Sequence, residues 1–225
     1  MKRIVLFFCL LAAAACGQSP EALRTGDLVF VGIPAEYSLD EGGMDEAISA
    51  ATGSNGALNI IHVAIVDRDS IDTWIIDATI KRGVDRHPLD TFIRDFTLKD
   101  GSLPVFQVMR LKNGRPAEAA VQNARCFLGL PYDVHFLPDN GAFYCSELVQ
   151  ESYLDGNGKP IFSAAPMNFK NADGEFPRYW QQLFARIGQE IPQGVPGTNP
   201  QAMSADSALT FLGVMDHKLS WSIAD

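Results

Sequence analysis

The chain has 225 residues, 47% of them apolar and 20% charged, the make-up of an ordinary globular protein of one domain or two small ones. That balance excludes a wholly disordered chain, a collagen and a coiled coil. With 18 Lys+Arg against 27 Asp+Glu the formal charge is −9, so the basic footprint of a nucleic-acid binder is missing, as is that of a basic protein held to anionic lipid by charge.

Residues 1–16 read MKRIVLFFCLLAAAAC. Lys2 and Arg3 precede the apolar run Ile4–Ala15, which falls well short of the roughly 20 apolar residues a spanning helix needs. A charged start, a short apolar core and small residues before a cut site make a secretory signal. Ala13-Ala14-Ala15-Cys16 resembles the lipobox of bacterial lipoproteins. That resemblance implies cleavage before Cys16, a diacylglyceryl thioether on its sulfur, and a body held to a membrane surface by several acyl chains. Gly17, rather than Asp, follows the cysteine. In a Gram-negative source this resembles the pattern sent on to the outer membrane, facing the periplasm. The expected division is a signal peptide over 1–15, a lipidated cysteine and polar tether over 16–24, and one domain over 25–225. Of the four cysteines, only Cys126 and Cys145 then stay in the body as thiols. An oxidising compartment would let them pair.

Thr25-Gly26-Asp27 is a turn signal, and the apolar run Leu28–Gly32 after it predicts a buried strand. Residues 34–59 are glycine-rich and irregular, with a short helix expected around Asp45–Ala51. Long irregular connections of this kind are often functional. Ile60–Val66 is β-branched and apolar, a strand; Asp67–Ser70 is a loop; Thr73–Ala78 is the next strand. A fourth strand is expected over Leu103–Leu111, where Val105, Gln107 and Met109 share a face. Pro116–Leu128 reads as a helix with Pro in its first turn, and Ala117, Ala120, Val121, Ala124 and Leu128 recur at helical spacing. A second helix opens at Phe143-Tyr144-Cys145 and stops before Asp155-Gly156. Residues 159–225 are rich in Pro and Gly, with one short helix near Tyr179–Ile187. Four strands followed by helices predict an α+β fold: a small antiparallel sheet packed against helices.

Chemistry narrows by elimination. The sequence has no phosphate loop, no Gly-x-Gly-x-x-Gly after a strand, no Cys-x-x-Cys and no Gly-x-Ser-x-Gly. Cys145, at the start of a helix, and His62, inside a strand, remain. Cys145, Leu148, Val149, Ser152 and Tyr153 share the inward face of their helix. A helix N-terminus carries partial positive charge and favours a thiolate, and its N–H groups can hold an oxyanion. Position alone leaves a nucleophile and a buried structural cysteine equally open. For His62 the plain reading is a core histidine satisfied by one hydrogen bond. A hairpin centred between Asp69 and Ser70 changes this. It sets His62 opposite Asp77, Val63 opposite Ile76, Ala64 opposite Ile75 and Ile65 opposite Trp74. Directly opposed residues share a sheet face with Cβ atoms about 4.5–5.5 Å apart. A carboxylate beside the imidazole would fix its tautomer and stabilise the imidazolium. The same register sets Asp67 against Asp72, which is a cost, and a slip of one residue would break the pairing.

Thr-Gly-Asp-Leu-Val-Phe (25–30), Ile-His-Val-Ala-Ile-Val (61–66), Ile-Ile-Asp-Ala (75–78), Gly-Leu-Pro-Tyr-Asp (129–133) and Phe-Tyr-Cys-Ser-Glu-Leu-Val (143–149) occur in that order. Together they resemble the YiiX-like branch of the NlpC-type papain-like superfamily, in which the chain order is circularly permuted and the histidine precedes the cysteine. Gly194-Val-Pro-Gly-Thr-Asn-Pro200 resembles that branch too, and the likeness covers roughly residues 25–205. It implies a papain-like, permuted NlpC-type catalytic domain. Cys145 would be the nucleophile, His62 the general base and Asp77 the group that orients His62. The branch often carries Glu at the third position, and Asp is one methylene shorter. The implied reaction is acyl transfer through an acyl-enzyme, with no cofactor and no metal.

Other candidates read as structural. Cys126 is expected to pack in the core mid-helix, and His87, before Pro88 in a charged stretch, to be solvated. His135 is read as a loop residue, His217 as inert and Glu147 as a surface residue on another helix face. Tyr144 either shapes the pocket or packs. A metal on His62, Asp77 and His87 lacks any supporting ligand spacing. Three functions compete. The first is a cell-envelope cysteine amidase or peptidase acting on peptide-type amides, such as peptidoglycan stem peptides. The second keeps the triad but takes a lipid acyl ester or thioester, as in the related lecithin retinol acyltransferases, whose third group is a His. The third is a non-catalytic lipoprotein that binds peptide or lipid in the cleft.

Overall fold

The computed structural model describes residues 22–37, 42–53 and 57–215. The expected signal sequence, Cys16 and His217 lie outside them. Eight strands and six helices run in the order β1 (Leu28–Pro34), α1 (Met44–Thr52), β2 (Leu58–Arg68), β3 (Thr73–Thr79), β4 (Gly83–Pro88), α2 (Leu89–Asp95), β5 (Val105–Leu111), α3 (Ala117–Cys126), α4 (Cys145–Ser152), β6 (Ala165–Pro166), α5 (Arg178–Ile187), β7 (Pro196–Gly197), α6 (Pro200–Ser204) and β8 (Leu209–Val214). Six strands form one antiparallel sheet in the order β4-β3-β2-β1-β5-β8; β6 and β7 form a separate small pair. The α+β expectation is met.

Both faces of the sheet are covered, which is why its central strands read as unbroken aliphatic runs rather than alternating ones. In β1, Leu28 and Phe30 point to one face with Ile65 of β2, Ala120, Val121 and Ala124 of α3, and Leu148 and Val149 of α4. Val29, Val31 and Ile33 point to the other, with Phe92 of α2 and Phe106 of β5. A third cluster joins Ala47 of α1, Phe136, Tyr144, Met167, Phe169, and Trp180 and Phe184 of α5. Its rings meet edge to face: Phe136 and Phe169 stand 5.4 and 5.1 Å from Trp180, at 88° and 87°, the arrangement their quadrupoles favour.

The Thr25-Gly26-Asp27 turn locks this frame. Gly26 has φ +80°, and a Cβ there would sit 2.5 Å from Ala117 Cβ, so only glycine fits. Its carbonyl accepts from the buried Tyr153 hydroxyl at 3.0 Å. The Asp27 carboxylate takes two bonds from Arg110, at 2.6 and 2.8 Å. Buried Asp67 likewise gathers Arg86 of β4 and Arg125 of α3, at 2.6 and 2.7 Å, and so ties the sheet edge to a helix.

The β2–β3 register is shifted by two residues from the expected one. Ile65 pairs with Ile76, Val66 with Ile75, Asp67 with Trp74 and Arg68 with Thr73. Asp69 is the reason. Its Oδ1 accepts from the N–H groups of Ile71 and Asp72, at 2.9 and 2.8 Å, and its Oδ2 accepts from Trp74 Nε1 at 2.9 Å. The turn therefore falls at residues 70–71, an aspartate-capped turn, and Asp67 never meets Asp72.

Candidate active site

Each of the three elements that carry the expected triad brings its residue to one place. At this register Asp77 and His62 are diagonal neighbours on the same sheet face instead of direct opposites. Diagonal neighbours remain within reach of long side chains. His62 Nε2 and Asp77 Oδ2 are 2.9 Å apart, with the carboxylate wholly buried. A bulge contributes on β2. Val31 pairs with His62 and Gly32 with Ile60, so Ile61 is an extra residue. Bulges re-aim side chains in this way. Ile61 and His62 both turn toward the face under α2, where the His62 ring lies 4.7 Å from Phe96 and 6.2 Å from Phe92.

Cys145 is the first residue of α4 and is buried. Its sulfur is close enough to the His62 imidazole to act on its protonation. Nε2 is engaged by Asp77, so Nδ1 is the nitrogen left for the thiol. Burial by itself would lower the His62 pKa. Negative charge at Cys145 and the hydrogen bonds His62 makes to Asp77 and Cys145 outweigh it and raise the pKa to about 10. The imidazole is therefore held protonated beside the buried Asp77 carboxylate, its orienting third group, and the Cys145 sulfur.

The cleft over Cys145 has about 530 Å³ of space. Met44, Ile48, Phe136, Met167, Phe169 and Trp180 make its walls largely apolar. These walls come from the irregular 34–59 segment and from the C-terminal third, where the sequence carried no chemical signal. Tyr144 both shapes the cleft and packs: its hydroxyl accepts from Thr198 N–H at 3.0 Å while its ring lies 5.2 Å from Phe136. The Gly194–Pro200 stretch braces the start of α4. Thr198 Oγ1 bonds Ser146 Oγ at 3.0 Å, and Gln201 just beyond accepts from Ile60 N–H at 2.8 Å. The Gly-Leu-Pro-Tyr-Asp motif also gains a role. The fully buried Asp133 accepts from the N–H groups of His135 and Leu137, at 2.8 and 2.9 Å, and so positions Phe136 at φ 52° in the cleft wall.

Three expectations fail. Glu147 is buried, not on the surface. Its carboxylate accepts from Tyr144 N–H at 3.4 Å, and burial, with Asp133 nearby, pushes its pKa up to about 8. The carboxylate faces the loop before α4, whose Asp133 and Asp139 act on its charge. His87 is buried rather than solvated, because the stretch that holds it is strand β4 with α2 across it. Cys126 closes α3 as an exposed residue instead of packing mid-helix, since the helix ends there, two residues early. Cys126 and Cys145 are both free thiols. His135 is an exposed loop residue, its Nδ1 2.6 Å from Gln189 Oε1, in keeping with the loop reading. Among the described residues no group of three or more His, Cys, Asp or Glu side chains is placed to hold a metal ion.

Comparison with known proteins places the chain among relatives of the same fold. The chain is similar to the uncharacterized protein YiiX of Escherichia coli strain K12, 29% identical over 119 residues, which is 52% of this chain and 58% of that one. In structure it resembles a protein described as the metalloprotein YiiX from Escherichia coli O157:H7. The TM-score is 0.64 at 24% identity, and the match covers 85% of this chain and 97% of that one, a likeness of fold. A family model for permuted papain-like amidase enzymes of the YaeF/YiiX type matches residues 22–213. That match spans most of the chain, and the chain belongs to this family, Peptidase_C92.

Proposed function

We propose that the protein is a cell-envelope cysteine amidase or peptidase that cleaves peptide-type amide bonds through Cys145, His62 and Asp77. The observation that carries this reading is the His62 imidazole, bonded to buried Asp77 on one nitrogen and within reach of the Cys145 thiol on the other, beneath an open cleft. His62 accepts the thiol proton. The thiolate attacks the substrate carbonyl carbon, and the carbonyl π electrons move to oxygen. The first N–H groups of α4, which have no partner inside the helix, are the donors that would hold that oxyanion. Collapse breaks the C–N bond, and His62 returns the proton to the leaving amine. Water, deprotonated by His62, then releases the acyl group from sulfur. Asp77 holds the imidazole in the Nε2–H form throughout.

Lipid on Cys16 would keep this body at the membrane surface, near peptidoglycan stem peptides. The apolar cleft walls favour a second substrate, a lipid acyl ester or thioester, through the same steps with an alkoxide or thiolate leaving group. The word metalloprotein in the description of the structural neighbour is not carried over, because the described residues offer no fitting donor set.

The test is alkylation of Cys145 by chloroacetamide against pH, read by mass spectrometry, in wild type and His62→Ala. Fast labelling of Cys145 below pH 7, slowed at least tenfold by the substitution, is expected; peptide amides and then acyl esters are screened next. Labelling of Cys145 that rises only above pH 8 and ignores His62→Ala overturns the reading and favours a non-catalytic binding protein.

A further inference from the structure

Behind the proposed triad stands a second buried histidine. His87 of β4 pairs with Ile75 of β3, and Asp77 pairs with Asp85 of β4, so His87 and Asp77 are diagonal neighbours on one face. His62, Asp77 and His87 thus form a row across three adjacent strands. All three are buried, and Phe92 of α2 lies over both imidazoles, at 6.2 and 6.4 Å.

The far end of this row has unmet hydrogen bonds. Asp77 Oδ2 serves His62, but Oδ1 is buried with no hydrogen-bond partner, and both nitrogens of His87 are in the same condition. His87 Nδ1 lies 3.8 Å from Asp77 Oδ1 and 3.5 Å from Asp85 Oδ2. Neither distance is a hydrogen bond. Closing either takes a ring movement of roughly an ångström or less. The two carboxylates differ in need. Asp85 is 38% exposed, so water reaches it, and the Arg82 guanidinium lies beside it as an ion pair at 3.2 Å without a hydrogen bond. Asp77 Oδ1 has no such alternative, and leaving a buried acceptor unpaired costs its full desolvation penalty.

We propose that His87 is a positioning residue for the reaction: its Nδ1–H donates to the second oxygen of Asp77 and holds that carboxylate in the plane His62 needs. This rests on the catalytic reading of His62 and Asp77. A donor in this place must be neutral, since an imidazolium would compete with His62 for the same carboxylate. Burial and the Arg82 charge lower the His87 pKa, against Asp77 and Asp85 on the strands and Asp95 on α2, and the net shift is downward. The neutral form is therefore the one present around pH 7.

Two measurements test it on the whole chain. In the wild type, 15N NMR of the imidazoles should show His87 neutral at pH 7 and protonated on Nδ1; a proton on Nε2 overturns the proposal. Chloroacetamide labelling of Cys145 is then compared in wild type, His62→Ala, His87→Leu and His87→Asn, with cooperative melting required of each. Asn places an N–H donor close to where His Nδ1 sits; Leu fills the space without one. His87→Leu should label about five- to twentyfold more slowly at pH 6, and His87→Asn should stay within about threefold of wild type. Equal rates for wild type and His87→Leu, or an equal loss in both variants, remove the positioning role while leaving the triad standing. If His62→Ala labels like wild type, the catalytic reading itself falls. Should His87→Leu fail to fold, the tautomer of the wild-type ring still decides.

Discussion

Replacing Asp77 by Asn keeps the shape of the side chain and removes its charge. The carboxylate meets His62 Nε2 at 2.9 Å and is wholly buried. Net contributions are about 0.5–1.5 kcal/mol for a neutral hydrogen bond and about 1.5–3 kcal/mol for one to a charged group. The surplus lost is therefore about 1–1.5 kcal/mol, or roughly five- to tenfold in the equilibrium between the neutral and ionised Cys145–His62 pairs. That is a floor. The direct attraction at this separation is on the order of 5 kcal/mol at an effective dielectric of 20, and part of it survives the cost of burying the charges. A loss of tenfold to a hundredfold follows. The sign depends on pH. Asp77 helps raise the His62 pKa to about 10, so its support for the protonated imidazole is in place below that value. At pH 6 chloroacetamide should therefore label Cys145 of Asp77→Asn about ten to a hundred times more slowly than wild type. Near pH 10 an ordinary thiol is ionised without help, its reference pKa being about 8.5, and the two rates should converge. Equal rates at pH 6 would falsify the electrostatic role of Asp77. A slowing of the same size at both pH values would mean that the substitution blocks access instead of shifting protons.

Two more predictions come from groups around the cleft. A Cβ on Gly197 would lie 2.5 Å from Met167 Sδ and 2.7 Å from the Tyr144 hydroxyl. Gly197→Ala should cost about 1–3 kcal/mol as an overpacked site, seen as a lower Tm, and should slow labelling of Cys145 by N-benzyl chloroacetamide more than by chloroacetamide, because the wall moves inward; equal slowing would put Gly197 outside the cleft wall. Glu147, with a pKa raised from 4.5 to about 8 by burial, holds its proton more tightly folded than unfolded. Its carboxyl thus favours the fold fully below pH 4.5 and loses that contribution as pH rises through about 8, so Glu147→Gln should raise Tm relative to wild type at pH 8 and leave it nearly unchanged at pH 4.5, as calorimetry at the two pH values would show.

How much of the fold the sequence reveals depends on what each strand faces. β1, β2, β3 and β5 are visible because apolar side chains cover both their faces, and α1, α3, α4 and α5 because their apolar positions recur at helical spacing. β4 is invisible for an opposite reason. Its sequence, Gly-Val-Asp-Arg-His-Pro, is that of a charged edge strand. Such strands are kept polar to prevent further pairing, and here Arg86 serves Asp67 and Asp85 serves Arg82. α2 is short, with Phe92 as its buried residue, and β8 is an edge strand that exposes Phe211 and Val214. Neither gives a period long enough to read. Glu147 and His87 differ from expectation for the same reason: each is buried beside a segment whose own pattern is silent, the irregular loop before α4 in one case and β4 with α2 in the other.

The pairing of His62 with Asp77 was reached through a register that the protein does not use. It held because a strand repeats every two residues. The Asp69-capped turn moves the register by two, and an even shift returns every side chain to its own face, whereas a shift of one would have sent Asp77 to the opposite side of the sheet. What the sequence conveys about this site is therefore parity: which residues share a face. Distance is set elsewhere, by the bulge at Ile61 and by the 2.9 Å bond that a diagonal neighbour can still make. The same parity, carried one strand further once β4 is known, places His87 beside Asp77. A buried carboxylate with one oxygen on His62 and the other unbonded toward a neutral imidazole is better ordered by two partners than by one. Asp77 bonds His62 on one side and faces His87 on the other because β3 runs between β2 and β4.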